Sequence, residues 1–443
     1  MSDPLSIFAA ADEAADAVAL RTAGGGFTFA QLAAMTRERL RTLEREVSDA
    51  TPYPLIATNT LETLITLYAL LERRVPALLV DARLMPAERS ALRERAEHAG
   101  RVAHADAAAI LFTSGTTGTP RGAVLTRAGL VASAEASAAN LGWQDDDCWL
   151  LAMPLARIGG LSIVTRCLAA RRALVLAPRF DLASLPGWIA AQRITLLSLV
   201  PTMLTRLLDA HPAWTAPPHL RAILLGGASA ASALLARAAQ RRLPIVITYG
   251  MTEACSQVVA TPYAARFAPA SDGAGMPLPG VALRITDGRI EVRGPMLMAG
   301  YWGEPALAAG AWFDTGDLGA IDARGCLFVH ARRMDLIVTG GENVYPAEVE
   351  RVLEAFPGIA AAGVFGVPDE TWGQTVAAAL VTDAAPQFAA LADFVRTRLA
   401  PHKRPRALCF VRQLPRTAAG KLDRLALPAL AAGLQPLAQS KRG

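Results

Sequence analysis

Between residues 194 and 254 the chain alternates two textures: "ITLLSLVP", "TMLTRLLDA", "LRAILLGGASA", "SALLARAAQRR" and "LPIVITYGMTEA". The first, third and fifth stretches open with short continuous runs of Ile, Leu and Val, which suit strands buried on both faces. The second and fourth place their leucines at helical spacing. Strand, helix, strand, helix, strand in this order builds a parallel sheet covered by helices, because parallel neighbours need a crossover connection. Such a sheet also says where a ligand goes: beyond the carboxyl ends of its strands. Three polar loops are expected there, at Pro201-Thr202, at Gly226-Gly227-Ala228-Ser229 and at Tyr249 to Glu253.

A fourth loop follows an apolar strand in "AAILFTSGTTGTPRGAVLT". Glycines let a ligand approach the backbone, and Ser and Thr add donors that suit phosphate oxygens, so this loop reads as a polyphosphate cradle. It is not a Walker loop, since G-x-x-x-x-G-K-[ST] is absent from it. The chain of 443 residues, 52% hydrophobic and 19% charged, is long enough for two or three domains with sizeable cores. A net charge of +5, with arginines dispersed, speaks against a nucleic-acid partner and fits an anionic small molecule. The five cysteines are widely spaced and form no C-x-x-C pair, which points to reduced thiols in a cytoplasmic protein, not a disulfide frame or a zinc site. The acidic N-terminus is unlike a signal peptide, and no apolar run reaches the roughly 18 residues of a transmembrane span.

Near residue 330 the texture changes. "RRMDLIVTGGENVYPAEVE" reads as short strands around a Gly-Gly turn, then a helix opening at Pro346. "AAAGVFGVPD", "QTVAAALVTD", "FAALADFVRTRLA" and "ALCFVRQLP" follow as a small α+β unit. The expected fold is α/β: a large N-terminal domain, 1–332, with parallel α/β sheets and a small β-subdomain, and a small mobile α+β domain, 333–443.

In order along the chain, "TSGTTGTPRG", "LLGGAS", "YGMTEA", "GYW", "FDTGDLGAID", "RRMDLIVTGGENVYPAEVE" and "PRTAAGKLDR" resemble the adenylate-forming enzymes, the superfamily of acyl- and aryl-CoA synthetases, peptide-synthetase adenylation domains and luciferases. The resemblance implies two steps: a carboxylate and ATP give an acyl-adenylate and pyrophosphate, and a thiol then displaces AMP. It also implies ATP, Mg²⁺ and, as co-substrate, CoA. A carboxylate is already ionised at neutral pH and a thiol titrates near 8.5, so no strong general base is needed. Catalysis then rests on positioning and cationic stabilisation.

By the same resemblance, Thr113, Ser114, Gly115, Thr116, Thr117 and Gly118 surround the β- and γ-phosphates, with Arg121 in place of the usual lysine. Gly227, Ala228, Tyr249 and Gly250 match adenine-site positions, Thr252 a contact to the α-phosphate or carboxylate, and Glu253 a Mg²⁺ ligand. Asp317 matches the acceptor of the ribose hydroxyls with Arg332 as its helper, and Lys421 the lysine that bridges carboxylate and α-phosphate. Rotation of the small domain would withdraw Lys421 and bring Gly340-Gly341 to the thiol. Two departures fall at the pivot: Ala331 where glycine is common and Met334 where Asp or Lys is usual.

Among short members the chain most resembles the o-succinylbenzoate-CoA ligases of menaquinone synthesis, through "WLLAMPLARIGGLSIVTRCLAARRALVL", "SLVPTMLTRLL" and "TGGENVYPAEVE". Other aryl- or medium-chain acyl-CoA ligases are the alternative, followed by an enzyme that loads a carrier protein. Where relatives carry "PLFHxxGL" this chain has "PLARIGGL", which puts Arg157 in the histidine place. Arg157 either pairs with the second carboxylate of a dicarboxylic substrate or packs its stem and pairs with a local acid. Gly159, Gly160, Ser162 and Ser198 are expected to shape the acid pocket. The expected partners are thus a small carboxylic acid, ATP and CoA, with a homo-oligomer left open.

Overall fold

A computed structural model describes residues 2–43, 51–99, 102, 104–114, 120–177, 181–227, 230, 232–268, 273–331, 337–344, 346–382, 386–415, 422 and 426–437. The chain forms two compact units: Met1–Ala82, Arg89–Thr113 and Gly122–His330 in the first, Arg83–Glu88, Ser114–Arg121 and Ala331–Gly443 in the second. Residues 332–336, where the sequence places the domain boundary, lie outside the described residues.

In the first unit the five stretches between 194 and 254 fold as their pattern predicts. Leu196–Leu199, Ala222–Leu225 and Ile245–Met251 are parallel strands, separated by helices Pro201–Ala210 and Ser232–Gln240. They belong to a nine-stranded sheet, among the described residues, that continues through Cys148–Leu151, Ala173–Leu176 and Val18–Thr22, also parallel, with antiparallel strands at both margins. Chain order reverses between Cys148–Leu151 and Leu196–Leu199, so a crevice opens at the carboxyl ends of these two strands. Among the described residues a five-stranded sheet holds Tyr53–Ala57, Ala77–Asp81, Ala107–Ser114, Pro120–Thr126 and Gly300–Tyr301, and a four-stranded one holds Ala282–Thr286, Arg289–Arg293, Phe313–Ile321 and Leu327–Ala331.

Two of the expected loops prove more regular than their composition suggests. Pro201 and Thr202 open the helix Pro201–Ala210, proline standing where a helix needs no N–H. Tyr249, Gly250 and Met251 prolong their strand because Ser256–Ala260 turns back and pairs with it, Met251 opposite Ser256. Only the single 3₁₀ turn Thr252–Ala254 and Cys255, which caps it, separate the two strands.

The opposite, amino-terminal ends of the parallel strands are held by a buried ion pair. Arg221 donates from Nε to Asp147 Oδ1 at 2.7 Å and from Nη2 to Oδ2, Thr195 Oγ1 donates to Oδ1 at 2.8 Å, and Arg221 Nη1 reaches the Leu141 carbonyl at 3.0 Å. Each polar atom of this cluster is answered inside the protein, which burial of charge requires.

The second unit is built on a six-stranded sheet in which Gly373–Thr382 pairs antiparallel with Ile359–Asp369 and parallel with Ala407–Val411. Helices Pro346–Glu354 and Phe388–Arg398 pack on it around Val349, Leu353, Val364, Leu391 and Val395. The helix expected at Pro346 and the α+β texture after it are both present. All five cysteines are free thiols, four of them buried. Among the described residues no helix is long and apolar enough to cross a membrane.

Candidate functional site

The carboxyl ends of three adjacent strands of the first unit carry most of the described nucleotide-site residues. Register places Ser198 beside Leu224 and Leu225 beside Ile247, so the segments after Leu199, Leu225 and Thr248 lie next to one another. Glycine at 226 is a packing requirement, since a Cβ there would sit 2.3 Å from Thr248 Oγ1. Gly227 has φ +79°, and a Cβ at Gly250 would lie 1.8 Å from the Ser256 carbonyl oxygen. The small residues of "LLGGAS" and "YGMTEA" therefore let two strand ends close up before any ligand binds.

Two residues drawn from distant motifs meet here. Tyr249 donates its hydroxyl to Asp317 Oδ2 at 2.7 Å, with the tyrosine ring buried. Asp317 is held in turn, its N–H donating to Thr315 Oγ1 at 3.1 Å across Gly316, whose φ is +73°. The expected adenine and ribose residues are thus coupled by one hydrogen bond. Glu253, in the 3₁₀ turn after Thr252, accepts from the Tyr301 hydroxyl at 2.8 Å. Among the described residues no group of three or more His, Cys, Asp or Glu gathers as a metal cage. A single half-buried carboxylate fits Mg²⁺ instead, which commonly takes one or two carboxylates and completes its shell with phosphate oxygens and water.

Thr113 is the penultimate residue of the strand Ala107–Ser114, and Arg121 the second of the returning strand Pro120–Thr126. Gly115, Thr116, Thr117 and Gly118 lie outside the described residues, as do the Ser114 side chain, Ala228, Arg332, Met334 and Lys421. In the second unit Gly340 and Gly341 form the two-residue turn between Ile337–Thr339 and Glu342–Val344, with φ +59° and +80°. Both values are left-handed, as such a hairpin turn demands. A Cβ at Gly340 would lie 2.7 Å from the Trp372 ring, and the Gly340 N–H donates to the Trp372 carbonyl at 2.9 Å.

Most residues expected to shape the acid pocket lie on or beside helix Ile158–Ala170. Gly160 is forced to be glycine, because its Cβ would meet the Pro154 carbonyl oxygen at 2.3 Å. Ser162 is buried and donates to the Gly159 carbonyl at 3.3 Å. Ser198 accepts from Trp149 Nε1 at 3.1 Å, across the two strands where chain order reverses. Arg157 stands 3.4 Å from Asp81 Oδ2. Asp81 is thus a local acid of the kind its sequence allows.

Two buried polar residues bonded or stacked to these segments escaped the sequence reading. Asn59, 7% exposed, donates to the carbonyls of Leu151, Met153 and Ala177 at 3.1–3.3 Å and accepts from the Leu155 N–H at 3.2 Å. It joins the strand ends of both parallel sheets, and nothing in its local sequence announces that. Arg166 is 3% exposed; it donates from Nη2 to Ser256 Oγ at 3.2 Å and stacks over Trp149 at 5.5 Å, while its Nε is left without a partner. Among the described residues no carboxylate pairs with it, and burial pushes its pKa down to about 10. Its signal was legible: an arginine inside "IGGLSIVTRCLAA", a helix apolar on nearly all sides.

Comparison with known proteins agrees with this geometry. Residues 91–302 match the AMP-binding enzyme family and residues 348–421 the AMP-binding enzyme C-terminal domain. The chain belongs to the AMP-binding enzymes and is an AMP-forming acid–thiol ligase. It is 43% identical over 338 residues to the 2-succinylbenzoate–CoA ligase of Bacillus licheniformis, covering 72% of this chain and 69% of that protein, and 40% identical over 333 residues to the ligase of the same name from Bacillus cereus strain Q1, with the same coverages. Among solved structures, o-succinylbenzoate CoA synthetase from Bacillus subtilis bound to a product analogue, OSB-NCoA, is 32% identical with TM-score 0.88, over 96% of this chain and 98% of that one. An amide bond synthetase from Marinactinospora thermotolerans is 27% identical with TM-score 0.82, over 93% and 97%.

Proposed function

We propose that this protein is an ATP- and Mg²⁺-dependent o-succinylbenzoate–CoA ligase of menaquinone synthesis, acting in the cytoplasm. The observation that supports the choice of acid is the buried cation Arg166, which stacks on Trp149, donates to Ser256 and meets no carboxylate among the described residues. A buried guanidinium without a carboxylate is costly, and a substrate with a second carboxylate offsets that cost when it binds. The names of the Bacillus relatives support the same acid, and the free cysteines support a reducing compartment.

In this reading ATP lies over the strand ends, with Tyr249 and Asp317 at adenine and ribose, Thr252 at the reacting phosphate and Thr113, Ser114, Arg121 and the 115–118 loop at the outer phosphates. Bound Mg²⁺ would supply charge neutralisation of the phosphates, held by Glu253. Lys421 bridges the carboxylate and the α-phosphate during adenylation, and Gly340-Gly341 line the approach of CoA. Arg157, paired with Asp81 in the fold, is the second cation beside Arg166 in this reading, able to exchange that partner for the distal carboxylate. The carboxylate attacks the α-phosphorus, pyrophosphate leaves, and the CoA thiolate then displaces AMP.

The test is incubation with Mg-ATP, CoA and, separately, o-succinylbenzoate, benzoate, anthranilate or octanoate, with AMP and acyl-CoA measured by mass spectrometry. Preference for o-succinylbenzoate is the expected result; efficient turnover of a monocarboxylic acid alone would overturn the assignment of substrate.

A further inference from the structure

Glu253 is held at its carboxylate by one hydrogen bond among the described residues, from Tyr301. Tyr301 comes from the short strand Gly300–Tyr301, which pairs antiparallel with the strand returning from the phosphate loop: Gly300 faces Val124 and Tyr301 faces Ala123. On either side of that pair the backbone is tied again, Ala299 N–H to the Val124 carbonyl at 2.9 Å and Trp302 N–H to the Gly122 carbonyl at 2.7 Å. The Glu253 carbonyl also accepts from the Met298 N–H at 2.7 Å, three residues before Tyr301. The segment Met298–Trp302 thus clasps the Thr252–Ala254 turn with one end and the Pro120–Thr126 strand with the other.

We infer that Tyr301 is a positioning residue for the metal–nucleotide complex: its hydroxyl orients the Glu253 carboxylate, leaving Oε2 as the oxygen open to the metal, and its backbone ties Glu253 to the strand leaving the phosphate loop. The inference rests on the reading of Glu253 as the Mg²⁺ ligand. The physical need is clear. A lone carboxylate on a 3₁₀ turn samples several rotamers, and a metal shared between one carboxylate and phosphate oxygens needs that carboxylate fixed relative to the phosphates. A hydrogen bond from a phenol fixes the rotamer without adding a competing charge.

The experiment uses the full-length protein and Mn²⁺ as the probe, with α,β-methylene-ATP as a nucleotide that is not adenylated. Bound Mn²⁺ is counted by electron paramagnetic resonance for wild type, Y301F and E253Q, and metal-free nucleotide affinity is measured in parallel. Phenylalanine keeps the ring and the strand pairing, so Y301F is expected to melt with the wild type and to bind metal-free nucleotide equally. Its Mn²⁺ affinity in the nucleotide complex should fall about 10-fold, the scale set by loss of an outer-shell partner, with a fall at least as large in E253Q. Wild-type Mn²⁺ affinity in Y301F alongside a loss in E253Q would overturn the role of Tyr301 and leave Glu253 as ligand. Wild-type affinity in E253Q would overturn the Glu253 reading and, with it, the inference.

Discussion

Replacing Arg166 by methionine separates stability from substrate recognition at one position. Arg166 is 3% exposed, and burial lowers its pKa from the usual arginine range to about 10. Converted at about 1.4 kcal/mol for each pH unit, that difference means the fold disfavours the cation by about 3 kcal/mol. The sign follows: a cation whose folded pKa lies below its unfolded value costs stability at every pH below the folded pKa, and the cost fades as pH rises through about 10. Methionine fills similar volume without charge, so R166M removes this cost. It also removes the stacking on Trp149 and the bond to Ser256, each worth about 1 kcal/mol. The net expectation is a thermal midpoint at neutral pH equal to or above that of the wild type. Recognition should move the other way. Loss of a desolvated charge pair costs about 2–5 kcal/mol, so kcat/KM for a dicarboxylic acid should fall by at least about 30-fold, while that for benzoate stays within a few-fold. AMP release monitored with each acid, beside a melting curve, reads both effects. A destabilised R166M with unchanged kcat/KM for the dicarboxylic acid would show that Arg166 serves the fold and would refute the reasoning.

Three further substitutions probe separate parts of the first unit. Tyr249→Phe removes the hydroxyl on Asp317, and KM for ATP in pyrophosphate exchange should rise about 5-fold, corresponding to about 1 kcal/mol, with little change in melting. Gly160→Ala pushes a methyl group against the Pro154 carbonyl; a loss of about 1–3 kcal/mol in stability and a raised KM for the acid are expected, readable by urea denaturation and steady-state kinetics. Asp147→Ala leaves Arg221 buried without its counter-charge and should cost about 3–5 kcal/mol in denaturant, while both KM values of the surviving folded enzyme match the wild type.

The parts of this molecule legible in its sequence are those fixed by local pattern. Runs such as "ITLLSLVP" and "LRAILL" are too apolar to face water, and the helices between them leave only a parallel arrangement. Gly340-Gly341 between two short β-prone segments dictates its own turn. What the sequence hides are pairings across long stretches of chain. Tyr249 and Asp317 are 68 residues apart, and Asn59 reaches partners 92 to 118 residues away. Neither the hydroxyl–carboxylate bond nor the fourfold use of one asparagine follows from spacing. Arg157 shows the converse case: its departure from the motif was visible, but the carboxylate that answers it, Asp81, ends a strand of the five-stranded sheet 76 residues earlier in the chain.

These long-range ties share a chemical rationale. Both nucleophiles of an acid–thiol ligase are ready near neutral pH, the carboxylate fully and the thiol in part, so the protein gains little from a tuned base and much from fixed distances. The polar groups of the first unit are distributed accordingly. At the amino-terminal ends of the strands, Asp147, Arg221 and Thr195 close a self-satisfied network that leaves no atom for a ligand. At the candidate site each tie leaves capacity to spare: Asp317 accepts from Tyr249 through one oxygen, Glu253 from Tyr301 through one oxygen, and Arg166 keeps an unanswered Nε. A group held by one hydrogen bond and open at the next is oriented without being consumed. That is the condition for electrostatic stabilisation that costs no reorganisation when charge develops on the phosphate.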